Sequence, residues 1–231
     1  MMPPDLLVHE ALEAVWGGGQ DLEFTLRYDG ELAASTANNS RVPEKHAIRQ
    51  HFHTQLAELW RLDRRLNTLP IDSIPEAIRS DRFAFDVTRP VPNDTRFFYR
   101  WTQRGIAFIP LAVALRFMRC ELAIRVHRYE ANDYKGRLLG SQGDLDNQVK
   151  TLFDALRMPH NQDEVPVAST HDGPMFCLLE DDALVTKLTM EAKRILSPRP
   201  ADKRDIWVSV DIDVRATPVA PMAGNIEMLF P

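Results

Sequence analysis

Three stretches of the chain alternate apolar and polar residues one by one, and this alternation constrains the fold more than any other feature. They run over Leu22–Tyr28, Cys120–Val126 and Ile206–Val214. Successive side chains of a β-strand point to opposite faces, so the alternation predicts strands with one buried face and one exposed face. A further strand is predicted around Val185–Ala192.

Two other segments have the spacing of amphipathic helices. Pro43 favours the first turn of a helix, and apolar residues recur at helical intervals from there to about Leu66. The second segment follows the turn Gly140–Gly143 and spans roughly Leu145 to Arg157. Two amphipathic helices are therefore expected to pack on the apolar faces of the strands.

The order of these elements indicates an α+β fold with a mixed or antiparallel sheet, because strands and helices do not alternate regularly. The length of the chain suits one core, so we expect a single domain over residues 1–231. Its core would lie at 105–216, after an N-terminal extension and an irregular, proline-containing excursion at 67–104. The residues at 217–231 would form a proline-rich C-terminal tail.

Composition narrows the location and the chemistry of the protein. No stretch approaches the ~20 apolar residues of a membrane span, and residues 1–10 do not resemble a signal peptide, so we expect a cytoplasmic protein without a membrane partner. Cys120 and Cys177 lack CxxC spacing and are predicted to be buried and reduced. A net charge of -5 disfavours a protein that coats nucleic acid, unless the acids are concentrated at one metal-binding site.

Charged residues in the second helix form a regular stripe. At about 100° per residue, Asp146, Lys150 and Asp154 share one side of the helix, and Asp144 stands just before it. Helix capping would explain one aspartate, and an exposed salt-bridge ladder would explain the spacing. Neither explains why a second carboxylate stands beside the first.

Three further acids follow an apolar run downstream. Glu180, Asp181 and Asp182 come directly after Phe176–Leu179. Like charges at the end of an apolar strand repel one another unless a cation joins them, and carboxylate oxygens are the ligands that Mg²⁺ and Mn²⁺ prefer. The two groups of acids together indicate a metal site.

The residues resemble a known family signature. Asp144-x-Asp146-Asn147-x-x-Lys150-x-x-x-Asp154-Ala155-Leu156, followed by Asp181-Asp182-x-x-Val185, is similar to the signature of the RusA-like Holliday junction resolvases, which are crossover junction endodeoxyribonucleases. The resemblance covers Gly143 to Lys193. It implies a RusA-like α+β fold, a homodimer, and Mg²⁺-dependent cleavage of four-way DNA junctions in recombination and repair, with Mn²⁺ as a substitute ion.

The resemblance also assigns roles to residues of this chain. The metal ligands that it implies are Asp144, Asp146, Asp181 and Asp182. The catalytic set that it implies is Asp144, Asp146, Lys150 and Asp182. Asn147 and Asp154 would support these groups from just outside the metal's own ligands.

Four basic residues are candidates for DNA contacts. Lys135 and Arg137 precede the motif, while Arg100 and Arg104 are interleaved with aromatic residues. Basic and aromatic side chains together can bind phosphates and stack on unpaired bases. An edge strand with core aromatics would produce the same pattern.

Two departures from the family pattern leave the DNA substrate undetermined. The segment between Asp154 and Asp181 is longer than in the compact resolvases, and the chain is acidic where a junction-binding protein would be basic. One alternative is a metal-dependent nuclease of the same fold that acts on duplex or single-stranded DNA in a mobile-element or defence context. Another is a catalytically silent nucleic-acid-binding module.

Overall fold

The computed structural model describes residues 21–32, 41–63, 66, 101–112, 118–130, 145–169, 171, 173–198 and 207–218, a few of them at element ends by backbone alone. The strands are β1 (Leu22–Glu31), β2 (Trp101–Gln103), β3 (Ile106–Ala112), β4 (Met118–Glu130), β5 (Met175–Leu179), β6 (Val185–Pro198) and β7 (Trp207–Pro218). The helices are α1 (Val42–Leu62) and α2 (Leu145–Leu156), with short 3-10 turns at Gln162–Glu164 and Asp182–Leu184. Neither α-helix is long and apolar enough to cross a membrane.

The larger sheet has the strand order β1-β7-β4-β6 and is mixed. Strand β4 pairs antiparallel with β7 and parallel with β6, and β1 pairs antiparallel with β7. Alternate residues of β1, β4 and β7 are buried, so one face of this sheet lies on the core and the other faces solvent. The α+β class with a mixed sheet is therefore confirmed.

A second, smaller sheet has the order β2-β3-β5, with β3 and β5 parallel. Every residue of β3 is buried. Helices α1 and α2 pack against each other, and α1 also packs against β5 and β1. The main core therefore combines the helices with both sheets, which the sequence predicted as one sheet.

The hairpin between β2 and β3 has a two-residue turn. Gln103 pairs with Ile106, and the turn residues Arg104 and Gly105 have φ angles of 49° and 78°. Two successive left-handed residues match the right-handed twist of the flanking strands, and glycine accepts that conformation without strain. This short hairpin lies at the end of the region predicted as an irregular excursion, and residues 67–100 lie outside the described part of the chain.

The predicted boundaries of most elements needed small corrections. Helix α1 ends at Leu62 rather than about Leu66. The tail predicted from residue 217 begins later, because β7 runs to Pro218 and pairs there with Met118. The rest of the tail, from 219, and the N-terminal extension over 1–20 lie outside the described residues.

Candidate functional site

The motif helix forms where the sequence predicts it. Helix α2 begins at Leu145. Asp144 lies outside the described residues, and Asp146 is described by its backbone alone, in the first helical turn. Asn147 is half-buried and Lys150 is exposed on the helix surface. The ammonium group of Lys150 is therefore accessible to a ligand from solvent.

Asp154 has a different partner from the one that its spacing suggests. Its carboxylate lies 2.7 Å from Lys45 Nζ of α1 and 3.3 Å from a guanidinium nitrogen of Arg157. These contacts, rather than one with Lys150, tie the last turn of α2 to α1. This structural role accounts for the position of the Asp154 carboxylate without a role in a metal site.

The C-terminal end of α2 is held by a buried arginine of α1. Arg49 is 1% exposed and donates hydrogen bonds to the backbone oxygens of Asp154, at 2.7 Å, and Arg157, at 3.2 Å. The last carbonyls of a helix have no partner within it, so a cation is favoured at this end. Burial lowers the pKa of Arg49, and the carboxylates of Glu164 and Asp154 act in the opposite direction.

The acidic pair follows β5, as expected from the sequence. Asp181 accepts a hydrogen bond from the backbone N–H of Ala183 at 2.8 Å, and its other oxygen lies 3.2 Å from His160 Nε2. Partial burial, followed by the hydrogen bond and charge of Asp181, raises the pKa of Asp182. Burial alone would also raise the pKa of Asp181, but the Ala183 N–H and the neighbouring Asp182 bring it below its ordinary value. The two carboxylates thus share one environment.

Within one copy, this pair lies far from the start of α2. The backbone N–H of Met158 donates to Leu179 O at 2.9 Å, so the acidic pair follows a strand end that lies beside the C-terminal end of the helix. Asp146 is about 16 Å from Arg157 along the axis, at about 1.5 Å per residue. Oxygens bound to one Mg²⁺ lie within about 4 Å of each other, since each is about 2.1 Å from the ion.

Contacts with the larger sheet independently show the same separation between the acidic pair and the start of α2. Gln148 of α2 hydrogen bonds with Arg128, near the end of β4, and with Leu32 O. Val185, just after the acidic pair, lies beside Cys120 near the start of β4. Cys120 and Arg128 are about 26 Å apart at about 3.3 Å per residue. A single copy therefore does not bring the pair at Asp181 to the start of α2.

The predicted metal site is accordingly described only in part. No group of three or more candidate ligands lies together among the residues whose side chains are described. Asp144 and the side chain of Asp146 are not among them, so a metal site at the helix start stays a prediction. The backbone of Asp146 and the pair at Asp181 lie at opposite ends of α2 within one copy.

Of the four residues predicted to contact DNA, one is described. Arg104 donates a hydrogen bond from Nε to Gln162 O at 2.6 Å and lies 3.7 Å from Asp163. These contacts hold the β2–β3 turn against the 3-10 helix, which accounts for the position of Arg104 without nucleic acid. Lys135, Arg137 and Arg100 lie outside the described residues.

Three histidines lie together between α1 and β5. His53 Nδ1 accepts the backbone N–H of Phe176 at 2.9 Å, and the two rings stack. The ring of His171 meets that of His53 edge-on, with centroids 4.7 Å apart. Because Nδ1 of His53 accepts, the proton of the neutral ring is on Nε2, and this ring is not set up to bind a metal. Burial lowers the pKa of both His46 and His53 to about 4, followed by the charges of Arg49 and then His171 at His46, and by the charge of His171 at His53.

The sequence did not reveal this histidine group. His46 and His53 are too far apart in the helix to share a ligand, and His171 belongs to a different part of the chain. The available signal was that His46 and Arg49 stand beside Ile48 and Phe52, on the side of α1 that is buried. Cys120 and Cys177 are buried as predicted, and burial raises the pKa of both thiols to about 12.

The solvent face of the larger sheet carries paired charges of both signs. Arg27 lies 2.9 Å from Asp211, and Arg125 lies 2.6 Å from Asp213. Hydrogen bonds from Arg125 and then from Thr25 hold the pKa of Asp213 below its ordinary value. An open depression of about 480 Å³ on this face is lined by acids and bases alike. The face therefore lacks the excess positive charge that binds phosphates.

Comparison of this chain with family models, with curated proteins and with solved structures finds no match. The likeness to RusA-like resolvases therefore rests on the residue pattern alone.

Proposed function

We propose that this chain is a magnesium-dependent endonuclease that hydrolyses phosphodiester bonds in branched DNA, such as Holliday junctions, and acts in the cytoplasm in recombination and repair. The observation that carries the proposal is the pattern Asp144-x-Asp146-Asn147-x-x-Lys150 at the start of a helix. Helix α2 begins at Leu145, directly after Asp144 in the chain, and Lys150 is exposed on its surface.

The proposed ion is Mg²⁺, with Mn²⁺ as a substitute, and Asp144 and Asp146 would hold it. Mg²⁺ keeps several waters and is usually bound by one or two carboxylates together with substrate phosphates. Asp182 and Asp181 could serve the same ion only if they come from a second copy, because the helix separates them within one copy. The proposal therefore includes a homodimer.

Lys150 has a role that needs no contact with the ion. It lies one helical turn after Asp146, and its exposed ammonium could neutralise charge that develops on a phosphate oxygen. Asp154 does not compete for it, because that carboxylate is engaged by Lys45 and Arg157. Substitution of Lys150 should therefore reduce cleavage more than it reduces stability.

DNA would not be expected on the solvent face of the larger sheet, because its charges are balanced. Lys135, Arg137, Arg100 and Arg104 remain the proposed DNA-binding residues. Lys135 and Arg137 precede the first residue of the motif helix by ten and eight residues in the chain. Binding should then weaken steeply as salt concentration rises.

The experiment that tests the proposal is cleavage of a synthetic four-way junction, a matched duplex and a matched single strand, each with and without Mg²⁺. The wild type, Asp146→Asn and Lys150→Ala would be compared. Glu58→Gln is the matched control, because Glu58 is an exposed carboxylate on α1 that contacts only Arg61 among the described side chains. We expect paired nicks in the junction that require Mg²⁺ and are lost in the first two variants.

The other outcomes distinguish the alternatives. Cleavage of linear DNA with the same dependence on Asp146 would favour a nuclease of mobile-element or defence type. No cleavage of any substrate, together with no change in melting temperature at millimolar Mg²⁺, would overturn the proposal in favour of a binding module.

A further inference from the structure

The outer edge of β6 is an unusually long strand edge. Strand β6 spans Val185–Pro198 and is the last strand of the larger sheet, where it pairs with β4. Among the described residues, no strand pairs with its other side. An unpaired edge exposes a row of backbone donors and acceptors, and proteins usually protect such edges or use them for association.

The opposite edge of the same sheet is protected. Gln55 of α1 accepts a hydrogen bond from the backbone N–H of Arg27 at 2.9 Å and donates one to its oxygen at 2.7 Å. His51 Nε2 also lies 3.0 Å from this oxygen. The side-chain amide of Gln55 thus makes, with Arg27, the two hydrogen bonds that a neighbouring strand would make at the middle of β1. Among the described residues, the edge of β6 has no such protection.

Apolar side chains are exposed along β6. Leu188 is 44% exposed, and Leu196, which follows the last regularly paired residue Ile195, is 82% exposed. Leu188 lies on the core side of the sheet, since it is the neighbour of buried Leu122 in β4. Among the described residues, no strand continues the core side of the sheet past β6, as expected if another chain extends it.

We propose that a second copy of this chain pairs with this edge, β6 antiparallel to β6, with the two-fold axis at Ala192. In this register, the regularly paired residues 189–195 lie opposite the same residues of the partner subunit, and the partner strand covers Leu188 at the end of this pairing. On the other side of the sheet, Glu191 lies opposite Lys193 of the partner subunit. These two residues are already 3.0 Å apart within each strand, so pairing creates a cluster of four alternating charges.

Other registers are disfavoured by charge. An axis at Met190 places Lys187 opposite Lys193, and an axis at Glu191 or at Lys193 places that residue opposite itself. Like charges directly opposite each other destabilise a strand pair. Each of these registers also brings identical charges together twice, because a two-fold interface repeats every contact.

An axis at Thr189 is the main competitor. It pairs Lys187 with Glu191, which is favourable. The register of β6 with β4 is regular over 187–195. Within that range an axis at Ala192 pairs 189–195 with itself, whereas an axis at Thr189 pairs only 187–191. The longer pairing favours Ala192.

This inference names the surface of the homodimer and rests on that part of the proposed function, but not on catalysis. It is tested by measuring molecular mass over a range of protein concentrations. The wild type should dimerise, Glu191→Lys should shift the equilibrium at least tenfold toward monomer, and Glu191→Lys combined with Lys193→Glu should restore the dimer. An axis at Thr189 would not be rescued by this double exchange, because Lys187 would then face lysine.

Cross-linking reports the register directly. Residues on a two-fold axis of an antiparallel pair have Cα atoms about 4.5–5.5 Å apart, which a disulfide can span. Under mild oxidation, Ala192→Cys should form a covalent dimer and Thr189→Cys should not, while buried Cys120 and Cys177 stay unreactive. A monomeric wild type, a dimer that is unaffected by Glu191→Lys, or selective cross-linking of Thr189→Cys would overturn the proposal, whatever the cleavage assays show.

Discussion

Arg49 is the residue whose loss should disturb the fold most at a single position. Its buried guanidinium donates to two backbone oxygens at the end of α2 and lies 5.9 Å from the ring centroid of Phe108. Arg49→Met fills much of the volume but leaves both carbonyls without a donor. We expect a loss of about 3 kcal/mol in the free energy of unfolding, measured by urea denaturation.

Arg61→Met is the matched control for this prediction. Arg61 lies on the same helix but is exposed, and it contacts Glu58 in the preceding turn. Exposed ion pairs contribute little, so the control should unfold almost as the wild type does. Similar destabilisation by both substitutions would mean that the buried hydrogen bonds of Arg49 are not important for stability.

His53 should make the protein sensitive to acid. Its Nδ1 accepts the Phe176 N–H, and burial lowers its pKa from 6.5 to about 4. A folded pKa below the unfolded value means that the unfolded state binds protons first, so stability is fully present above about pH 6.5 and is lost as the pH falls toward 4. In His53→Asn, whose side-chain oxygen can accept the same N–H, unfolding measured between pH 7 and 5 should depend less steeply on pH. An unchanged slope would contradict the role of His53.

Some single residues could be placed from the sequence and others could not. The motif helix was predicted because its charged stripe and apolar face follow one period. The network of Lys45, Arg49 and Asp154 was not predicted, because a charged residue on a helix is ordinarily read as solvent-exposed. The inward positions of α1 hold both Arg49 and Phe52, and only the fold reveals that both are buried.

Among the elements, the protected edge of β1 gives a prediction of its own. Gln55→Ala removes both hydrogen bonds to the backbone of Arg27 and exposes that edge. We expect a loss of about 1–2 kcal/mol of stability, seen as a lower midpoint in urea, and a greater tendency to aggregate. Gln55→Glu keeps an acceptor for the N–H and should be intermediate. If Gln55→Ala is neutral, the amide does not protect the edge.

Periodicity predicted the long elements well and the short ones poorly. Strands β1, β4, β6 and β7 alternate over many residues, and all are present. Strand β3 contains Pro110, which lacks an N–H for pairing, and its run of buried residues shows no alternation. In the structure Pro110 is buried within β3 and pairs with Cys177 on one side, while β2 pairs only with 106–108. Among the described residues, no strand pairs with the other side of β3 at Pro110, and proline is tolerated at such an edge.

For the whole molecule, the α+β class could be predicted from the sequence. The division into two sheets and the position of the acidic pair could not. Both depend on contacts between distant segments, such as the parallel pairing of Cys120 with Val185. A spacing pattern indicates which residues share a helix side, whereas it does not indicate which end of that helix a later strand will reach. Asp181 and Asp182 thus lie at the opposite end of α2 from Asp146.

This separation leads to a test of whether two copies build one catalytic site. Asp146→Asn and Asp182→Asn are each expected to be inactive. If a site takes Asp146 from one copy and Asp182 from the other, a mixed dimer has one site with both residues replaced and one site intact. Co-expression with different tags should then restore nicking to on the order of a quarter of the wild-type rate, because half of the dimers are mixed and each has one working site.

The control is a mixture of Asp146→Asn with Lys150→Ala, which lie on the same helix start and should not complement each other. Nicking by the first mixture alone would mean that the start of α2 and the acidic pair act together across the dimer. If neither mixture is active although mixed dimers form, the two groups do not meet between copies. If Asp182→Asn is itself active, the acidic pair has no part in catalysis, and the reaction depends on the residues at the start of α2.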